Sequence, residues 1–206
     1  MPKIDLKKED KELYYPKVGE VSLVEVPAMH YLMIDGKGDP NTSPEYQDAM
    51  ETLFPVAYKT KFLSKKELNQ DYVVMPLEGL WWTENMEEFN TEDKSNWQWT
   101  SMIRQPDFIT TELLKRVLEE VKEKKNPAAL DKIRLKTLKE GLSVQTLHIG
   151  PYKEEGPAVE LLHNYIHENG YLMDGTKEKH HEIYLSDMRR TKPEKLKTVI
   201  RQPIRK

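Results

Sequence analysis

The sequence predicts an α+β fold built from two similar strand–strand–helix–strand–strand modules that a pseudo-twofold axis relates. Two observations lead to this prediction. The segment Ile-Arg-Gln-Pro occurs at residues 103–106 and again at 200–203. The same order of predicted elements precedes each copy, and a repeated unit of this kind indicates internal duplication. Two such modules side by side leave a central cleft, where small-molecule sites tend to lie.

The first half, residues 19–108, begins with two β-prone runs, 21–26 and 29–35, which Pro27 and Ala28 separate. A helix follows, with Ser43 as N-cap and Pro44 in its first turn. Because a proline lacks the N–H of the helical ladder, we expect Pro55 to kink or interrupt this helix. Three segments complete the half: a strand with an edge-type proline, an acidic loop and a further strand, at 71–82, 84–96 and 97–106.

A connecting helix over residues 110–126 joins the halves. Thr110 is its predicted N-cap, and apolar residues recur along one face. The second half, residues 131–206, repeats the pattern of the first. Lys139-Glu140-Gly141 indicates a hairpin between two strands, and a helix with Pro157 in its first turn and Gly170 just past its end comes next. The predicted strands of this half lie at 133–138, 142–149, 180–187 and 198–204. Residues 1–18 form a polar leader that we expect to dock through Leu13, Tyr14 and Tyr15.

Composition excludes several classes of protein. Of the 206 residues, 37% are hydrophobic and 33% charged, and no stretch approaches the roughly 20 apolar residues of a membrane span. The net charge of −3, from 32 basic and 35 acidic residues, argues against direct nucleic-acid binding. The absence of cysteine removes disulfides and thiolate chemistry. The N-terminus lacks the apolar stretch of a signal peptide, so we expect a cytoplasmic protein.

Glu182 is the carboxylate that the sequence singles out. Side chains alternate across a strand, so Glu182 and Tyr184 share one face of their strand while Ile183 and Leu185 share the other. If the Ile183 face is packed, Glu182 faces either solvent or a cleft. In a cleft it could pair with a cationic ligand or act as a general base, and we expect burial to raise its pKa unless a cation pairs with it.

Tryptophans flank the acidic loop on both sides. Trp81 and Trp82 precede the loop, and Trp97 and Trp99, which share a face if their segment is extended, follow it. They fit two interpretations: filler of the core, or the flat walls of a site for a planar aromatic ligand.

Metal and nucleotide motifs are weak. His163 and His167 are four residues apart on a predicted helix and could chelate a metal, but no third ligand has a suggestive spacing. Gly36 and Gly38 lack the remainder of a dinucleotide fingerprint. We therefore predict no metal and no cofactor.

Several segments together resemble the GyrI-like small-molecule-binding domain family, over about residues 18–206. The first half contributes the stretches 46–62 and 72–82. In the second half the resemblance lies in Glu-Gly-Leu-Ser-Val-Gln at 140–145, His-Ile-Gly-Pro-Tyr at 148–152, Glu-Gly-Pro at 155–157, Glu-Asn-Gly-Tyr at 168–171, His-Glu-Ile-Tyr-Leu-Ser-Asp at 181–187, Arg-Arg at 189–190 and Pro-Glu-Lys-Leu-Lys-Thr at 193–198.

The resemblance implies two helices packed on a sheet with a ligand cleft between them. It also implies a stand-alone form of the family, because the leader is too short for a helix-turn-helix. Family members carry a cleft glutamate that matches Glu182. Length and the tryptophans of this chain are similar to a subset that hydrolyses cyclopropanoid DNA-alkylating antibiotics of the yatakemycin and duocarmycin kind, a detoxification activity.

The roles that this resemblance implies are specific. In an enzyme without metal, Glu182 takes a proton from water, and Tyr152, with Tyr184 as second choice, donates a hydrogen bond to the ligand carbonyl. The residues expected to bind the planar aromatic ligand are Tyr184, Trp82, Trp97, Trp99 and Tyr46. Two alternatives stay open: a binder of cationic drugs without turnover, and a protein-binding module such as a gyrase inhibitor. The sequence leaves the oligomeric state open.

Overall fold

The structure is a computed structural model that describes residues 3–85 and 93–206, so most of the predicted acidic loop, residues 86–92, lies outside the described residues. In chain order the helices and strands are α1 (Leu6–Glu9), α2 (Lys11–Tyr14), β1 (Ser22–Lys37), α3 (Pro44–Glu67), β2 (Leu77–Trp82), β3 (Gln98–Gln105), α4 (Thr111–Lys124), β4 (Arg134–Ile149), α5 (Gly156–Glu168), β5 (His180–Tyr184) and β6 (Lys197–Pro203). Short 3₁₀ helices lie at Leu130–Lys132, Tyr152–Glu154 and Pro193–Lys195.

The strands close into an antiparallel barrel in the order β1-β3-β2-β5-β6-β4, with β4 returning to β1. The β1–β4 and β2–β5 pairs join the two halves of the chain. The predicted mixture of helices and sheet is confirmed. Within residues 3–85 and 93–206, none of the helices combines the length and apolarity that a membrane span requires.

Each pair of β-prone runs that opens a half is in fact one long strand. The chain passes through Pro27 within β1, where β4 is the paired neighbour because pairing with β3 begins only at His30. A strand tolerates a missing N–H where one edge is open. In β4 the expected hairpin is also absent: Gly141, the cross-strand partner of Val26, adopts φ +69° and the strand continues. Each half therefore runs strand–helix–strand–strand, and the duplication itself stays a prediction.

The predicted helix ends agree with the structure. The side chains of Ser43 and Thr110 accept hydrogen bonds from the backbone N–H groups of Tyr46 and Leu113. Gly170 follows α5 with φ +69°. Pro55 lies inside α3, which continues for three turns beyond it instead of stopping. Because helix ends are set by local chemistry, the roles of Ser43, Thr110 and Gly170 are ones that sequence can predict.

The leader closes one end of the barrel. Leu13 and Tyr14 are buried as expected, whereas Tyr15 is 52% exposed, contrary to the prediction, because the chain turns away at the end of α2. The Arg201 guanidinium donates to the carbonyl of Leu13 at 2.7 Å. The hydroxyl of Tyr14 donates to Glu78 at 3.3 Å, inside the barrel.

A buried ion network fills the barrel interior around His181. Its Nε2 lies 3.0 Å from Glu78 and its Nδ1 2.9 Å from Glu140, to which Arg201 also donates at 3.0 Å. Burial lowers the pKa of His181, but the two carboxylates outweigh burial and raise it to about 9. Burial likewise raises the pKa of Glu140, while His181 and Arg201 bring it down to about 2. Since His181 points inward, its neighbour Glu182 must point outward.

Candidate functional site

Glu182 lies on the outer face of the barrel, and its carboxylate is nearly enclosed, with the residue 6% exposed. Tyr184, two residues along β5 and on the same face as predicted, donates a hydrogen bond to Oε2 at 2.6 Å. His180 Nε2 lies 3.2 Å from Oε1. Gly79 is the cross-strand partner of Glu182 in β2, and because it has no side chain the Trp81 indole can lie over it. The site is therefore a carboxylate held by its own strand.

A second carboxyl group, that of Glu155, lies beside Glu182. Glu155 is the N-cap residue of α5 and follows the 3₁₀ helix that contains Tyr152. Burial, together with the negative charge of Glu182, raises the pKa of Glu155 to about 9. Its Oε2 is buried without a hydrogen-bond partner, which is costly for an ionised carboxylate. At neutral pH Glu155 therefore carries a proton that it can donate to Glu182.

Glu182 is the ionised member of this pair. Burial alone raises its pKa, as we expected, but hydrogen bonds from His180 and Tyr184 and the charge of Lys94 outweigh burial and hold the pKa below its ordinary value. The exception that we allowed for, cationic groups paired with Glu182, therefore applies, and the raised pKa belongs instead to Glu155. Two neighbouring carboxyl groups with opposite protonation provide one base and one acid in the same place.

Sequence reasoning missed Glu155 as a site residue. Glu155 falls within one of the segments that carry the family resemblance, but the only local signal of a role is an acidic residue at the start of a helix. That feature is commonly structural, because an acid there complements the helix dipole. The pairing with Glu182 arises across 27 residues, and only the tertiary fold brings the two carboxyl groups together.

Aromatic rings surround the carboxyl pair and connect to it through Trp81. The Trp81 Nε1 donates to the Tyr184 hydroxyl at 3.1 Å. The Trp81 ring centroid is 5.6 Å from that of Trp97 and 6.0 Å from that of Tyr46, and Tyr46 meets Trp99 edge-on at 5.0 Å. The structure thus brings Tyr46, Trp97 and Trp99 into one wall, together with Trp81. Trp97 and Trp99 are 5% and 0% exposed, so they are not solvent-facing.

Two glycines make room for these indoles. A Cβ at Gly79 would lie 2.8 Å from Trp81 Nε1, and a Cβ at Gly36 would lie 2.2 Å from Trp99. Real side chains do not approach so closely, so both rings lie over backbone that only glycine supplies.

Trp82 does not belong to this wall. In β2 its side chain projects to the face opposite Trp81, where the Lys179 ammonium lies 3.3 Å from its ring centroid. A cavity of about 330 Å³ opens beside Trp82 and does not include Glu182. The expectation that Trp82 shares a ligand site with Glu182 is therefore wrong, because adjacent residues of a strand face opposite ways.

Tyr152 packs its ring edge-on against Tyr184 at a centroid distance of 5.4 Å. Burial and the charge of Glu182 raise its pKa, so the hydroxyl keeps its proton. The Tyr184 hydroxyl already accepts a hydrogen bond from Trp81 and donates one to Glu182. Within the described part of the chain, the Tyr152 hydroxyl is engaged with no side chain, so of the two tyrosines it is the one that can donate to a ligand.

The histidines show no metal cluster among residues 3–85 and 93–206: no group of three or more histidine, cysteine or acidic side chains there is arranged to hold an ion. His163 lies on α5. Its pKa is lowered by burial of the ring and by His180. Independence from metal stays a prediction.

Comparisons with known proteins give one family. Residues 19–205 match the sequence profile of the GyrI-like small molecule binding domain. An uncharacterized conserved protein from Listeria innocua is 42% identical with a TM-score of 0.91, and a hydrolase from the same organism is 42% identical with a TM-score of 0.87. Each comparison covers 98% of this chain and 100% of the other. Curated protein sequences give no match.

Proposed function

Because the chain belongs to the GyrI-like small-molecule-binding domain family, we propose that it binds a planar aromatic molecule over Glu182 and hydrolyses it. The substrate class is the cyclopropanoids, DNA-alkylating compounds whose strained ring is conjugated to a dienone, and the activity is detoxification. The similarity to a hydrolase over the whole chain supports turnover. The observation that carries the proposal is the carboxyl pair, ionised Glu182 next to protonated Glu155, within an aromatic wall.

The reaction needs one base and one proton donor. Water attacks the CH₂ carbon of the cyclopropane while Glu182 takes a proton from that water. The bond between this carbon and the spiro carbon breaks, and its electron pair moves through the dienone to the carbonyl oxygen. That oxygen gains a proton and becomes a phenol, so water is consumed and no oxidant is required. General acid–base groups of this kind supply about 10²–10⁴-fold in rate.

The neighbouring side chains have separate roles in this scheme. Tyr184 and His180 orient Glu182 and keep it ionised, so they are positioning residues. Tyr152 supplies the hydrogen bond to the carbonyl oxygen, where negative charge develops. Glu155 supplies the proton that the carbonyl oxygen gains, and the proton that Glu182 takes from water then passes to Glu155, which restores the pair. A ligand must displace Tyr152 or Tyr46 to reach the pair, because both side chains are only partly buried whereas Glu182 is enclosed.

The test is turnover of a duocarmycin-type cyclopropanoid, followed by the change in its ultraviolet spectrum as the dienone becomes a phenol. Glu182→Gln keeps the shape of the side chain but removes the base, and we expect kcat to fall about 100-fold or more while Kd changes little. Glu154→Gln, an exposed neighbour of Glu155, is the matched control and should turn over normally. If wild-type protein leaves the spectrum unchanged, the hydrolase proposal is wrong.

A second function is favoured by one feature, the ionised carboxylate beneath aromatic rings, which suits a cationic ligand. In that case wild type binds a planar cation such as ethidium without turnover, and Glu182→Gln weakens the cation but not a neutral analogue of similar shape. If wild type and variant bind both ligands with equal affinity, this second function is wrong.

A further inference from the structure

The end of the barrel opposite the leader is open and contains a cavity of about 330 Å³. Tyr14 closes the other end near Glu78 and Arg104. The cavity floor is apolar, and its rim is polar and charged. Its lining includes Met33, Leu80, Leu138, Trp82, Gln98, Thr100, Asp35, Arg134, Lys136 and Lys179. Mouths of small barrels are frequent ligand sites, and this volume falls in the range of small-molecule pockets.

The cavity is separated from the Glu182 site by the sheet itself. Leu80 pairs with His181, whose side chain is inside the barrel, and Trp82 follows two residues later on the same face. Glu182 and Trp81 project from the opposite face. A ligand in this mouth therefore touches none of the groups assigned to hydrolysis.

The rim carries more positive than negative charge. The one carboxylate of the lining, Asp35, is already engaged, since Arg134 lies 2.6 Å from its Oδ2 and Thr100 donates to its Oδ1 at 2.6 Å. Lys136 and Lys179 have no carboxylate within ion-pair distance among the described residues. On one side the mouth adjoins a groove that Glu45 and Glu84 line, and the Glu45 carboxylate is paired with Lys132. Among residues 3–85 and 93–206, the rim thus presents two lysines that form no ion pair with a carboxylate.

Lys179 is the cation best placed to receive a ligand. Its ammonium lies over the ring of Trp82 at the edge of the cavity, and the side chain is partly buried. Burial and the charge of Arg134 lower its pKa, against the opposing effect of Asp35. An anion at this position would restore the solvation that Lys179 has lost, while Trp82 offers a flat apolar surface next to it.

We propose that this barrel mouth is a second binding site, distinct from the Glu182 site, for a small planar aromatic carboxylate. The ring of the ligand lies against Trp82 and the apolar floor of Met33 and Leu80. Its carboxylate is held by Lys179, with Lys136 close to the rim. A cation is disfavoured because it would meet Lys179, Lys136 and Arg134 together, and a purely apolar ligand leaves those charges without a partner.

The test is isothermal titration calorimetry of the full chain with 2-naphthoate and with uncharged 2-naphthalenemethanol, which has the same ring system. We expect saturable 2-naphthoate binding and an affinity for the alcohol at least about tenfold weaker, the scale of one hydrogen bond to a charged group. Lys179→Gln should weaken 2-naphthoate about tenfold. Lys177→Gln, which removes an exposed lysine two residues away, is the matched control and should leave the affinity unchanged.

Two results would overturn the proposal. One is the absence of saturable 2-naphthoate binding to the wild type. The other is binding that survives Lys179→Gln unchanged; if it is instead lost in Glu182→Gln, the ligand occupies the carboxyl pair. The thermal unfolding of each variant shows that a lost affinity is not lost folding. Because neither outcome depends on cyclopropanoid turnover, this test and that of the hydrolase fail independently.

Discussion

Replacing Glu155 by glutamine should stabilise the protein, by an amount that grows with pH. In the unfolded chain Glu155 has its ordinary pKa of 4.5, whereas in the folded protein its pKa is about 9. Folding at pH 7 must therefore attach a proton to a carboxylate, which costs about 1.4 kcal/mol for each pH unit above 4.5. Glutamine has nearly the same shape and carries no such cost. Over the interval from pH 4.5 to pH 7 this cost sums to about 3.5 kcal/mol, so we expect Glu155→Gln to raise the free energy of unfolding at pH 7 by up to about that amount.

The sign follows from the direction of the shift. Because the pKa of Glu155 is raised on folding, Glu155 does not destabilise the folded state below pH 4.5. Its destabilising effect then grows as pH rises toward 9. The gain from Glu155→Gln should thus be close to zero at pH 4.5, intermediate at pH 6 and largest near pH 9. At pH 7 it corresponds to several degrees in Tm for a chain of this size.

Urea unfolding followed by circular dichroism at pH 5, 7 and 8.5 measures this dependence. Glu154→Gln is the control: its side chain is exposed, so its effect should stay within about 0.5 kcal/mol at every pH. A gain from Glu155→Gln that is the same at all three pH values would mean that Glu155 is ionised in the folded protein. The acid of the carboxyl pair would then have to be another group, and the reaction scheme would lose its proton source.

Three further predictions concern the wall, the interior and the leader. Gly79→Ala places a methyl 2.8 Å from Trp81 Nε1, so it should destabilise by about 1–3 kcal/mol and alter the near-ultraviolet circular dichroism, whereas Gly156→Ala, which meets no atom within 4 Å, should not. The pKa of His181 is raised from 6.5 to about 9, so its contribution is present below pH 6.5 and is lost as pH rises through 9; His181→Gln should flatten the alkaline fall in unfolding free energy by up to about 3 kcal/mol. Tyr14→Phe removes a buried hydroxyl that links two charged side chains, and thermal unfolding should show a loss of about 1–2 kcal/mol; no loss would mean that the leader closes the barrel by apolar contact alone.

The local features of the fold could be predicted from the sequence because their causes are local. Ser43 and Thr110 cap helices through their own side chains, and Gly170 ends one because it tolerates a positive φ. The same reasoning failed at Pro27 and Gly141, which were expected to break strands. Whether a proline interrupts a strand depends on the neighbour that would have bonded its N–H, and that neighbour is more than 100 residues away.

For the site, strand alternation by itself determined that Glu182 and Tyr184 share one face, and that Trp97 and Trp99 share one. The period of two is a property of the extended backbone and needs no knowledge of the rest of the chain. Which face of the sheet is the interior, however, was decided by the closure of the barrel around the ion network of His181. Closure put Trp82 at the barrel mouth and Trp81 beside the carboxylate.

The protonation states belong to the tertiary structure alone. The sequence singled out Glu182 as a candidate carboxylate, but could not show that the N-terminus of α5 would place Glu155 against it. A pKa is set by burial and by charges within a few ångströms, and these come from segments that are distant along the chain. The sequence therefore determined the helix ends, the faces of the strands and the family resemblance, whereas only packing decided which glutamate is ionised and which holds the proton.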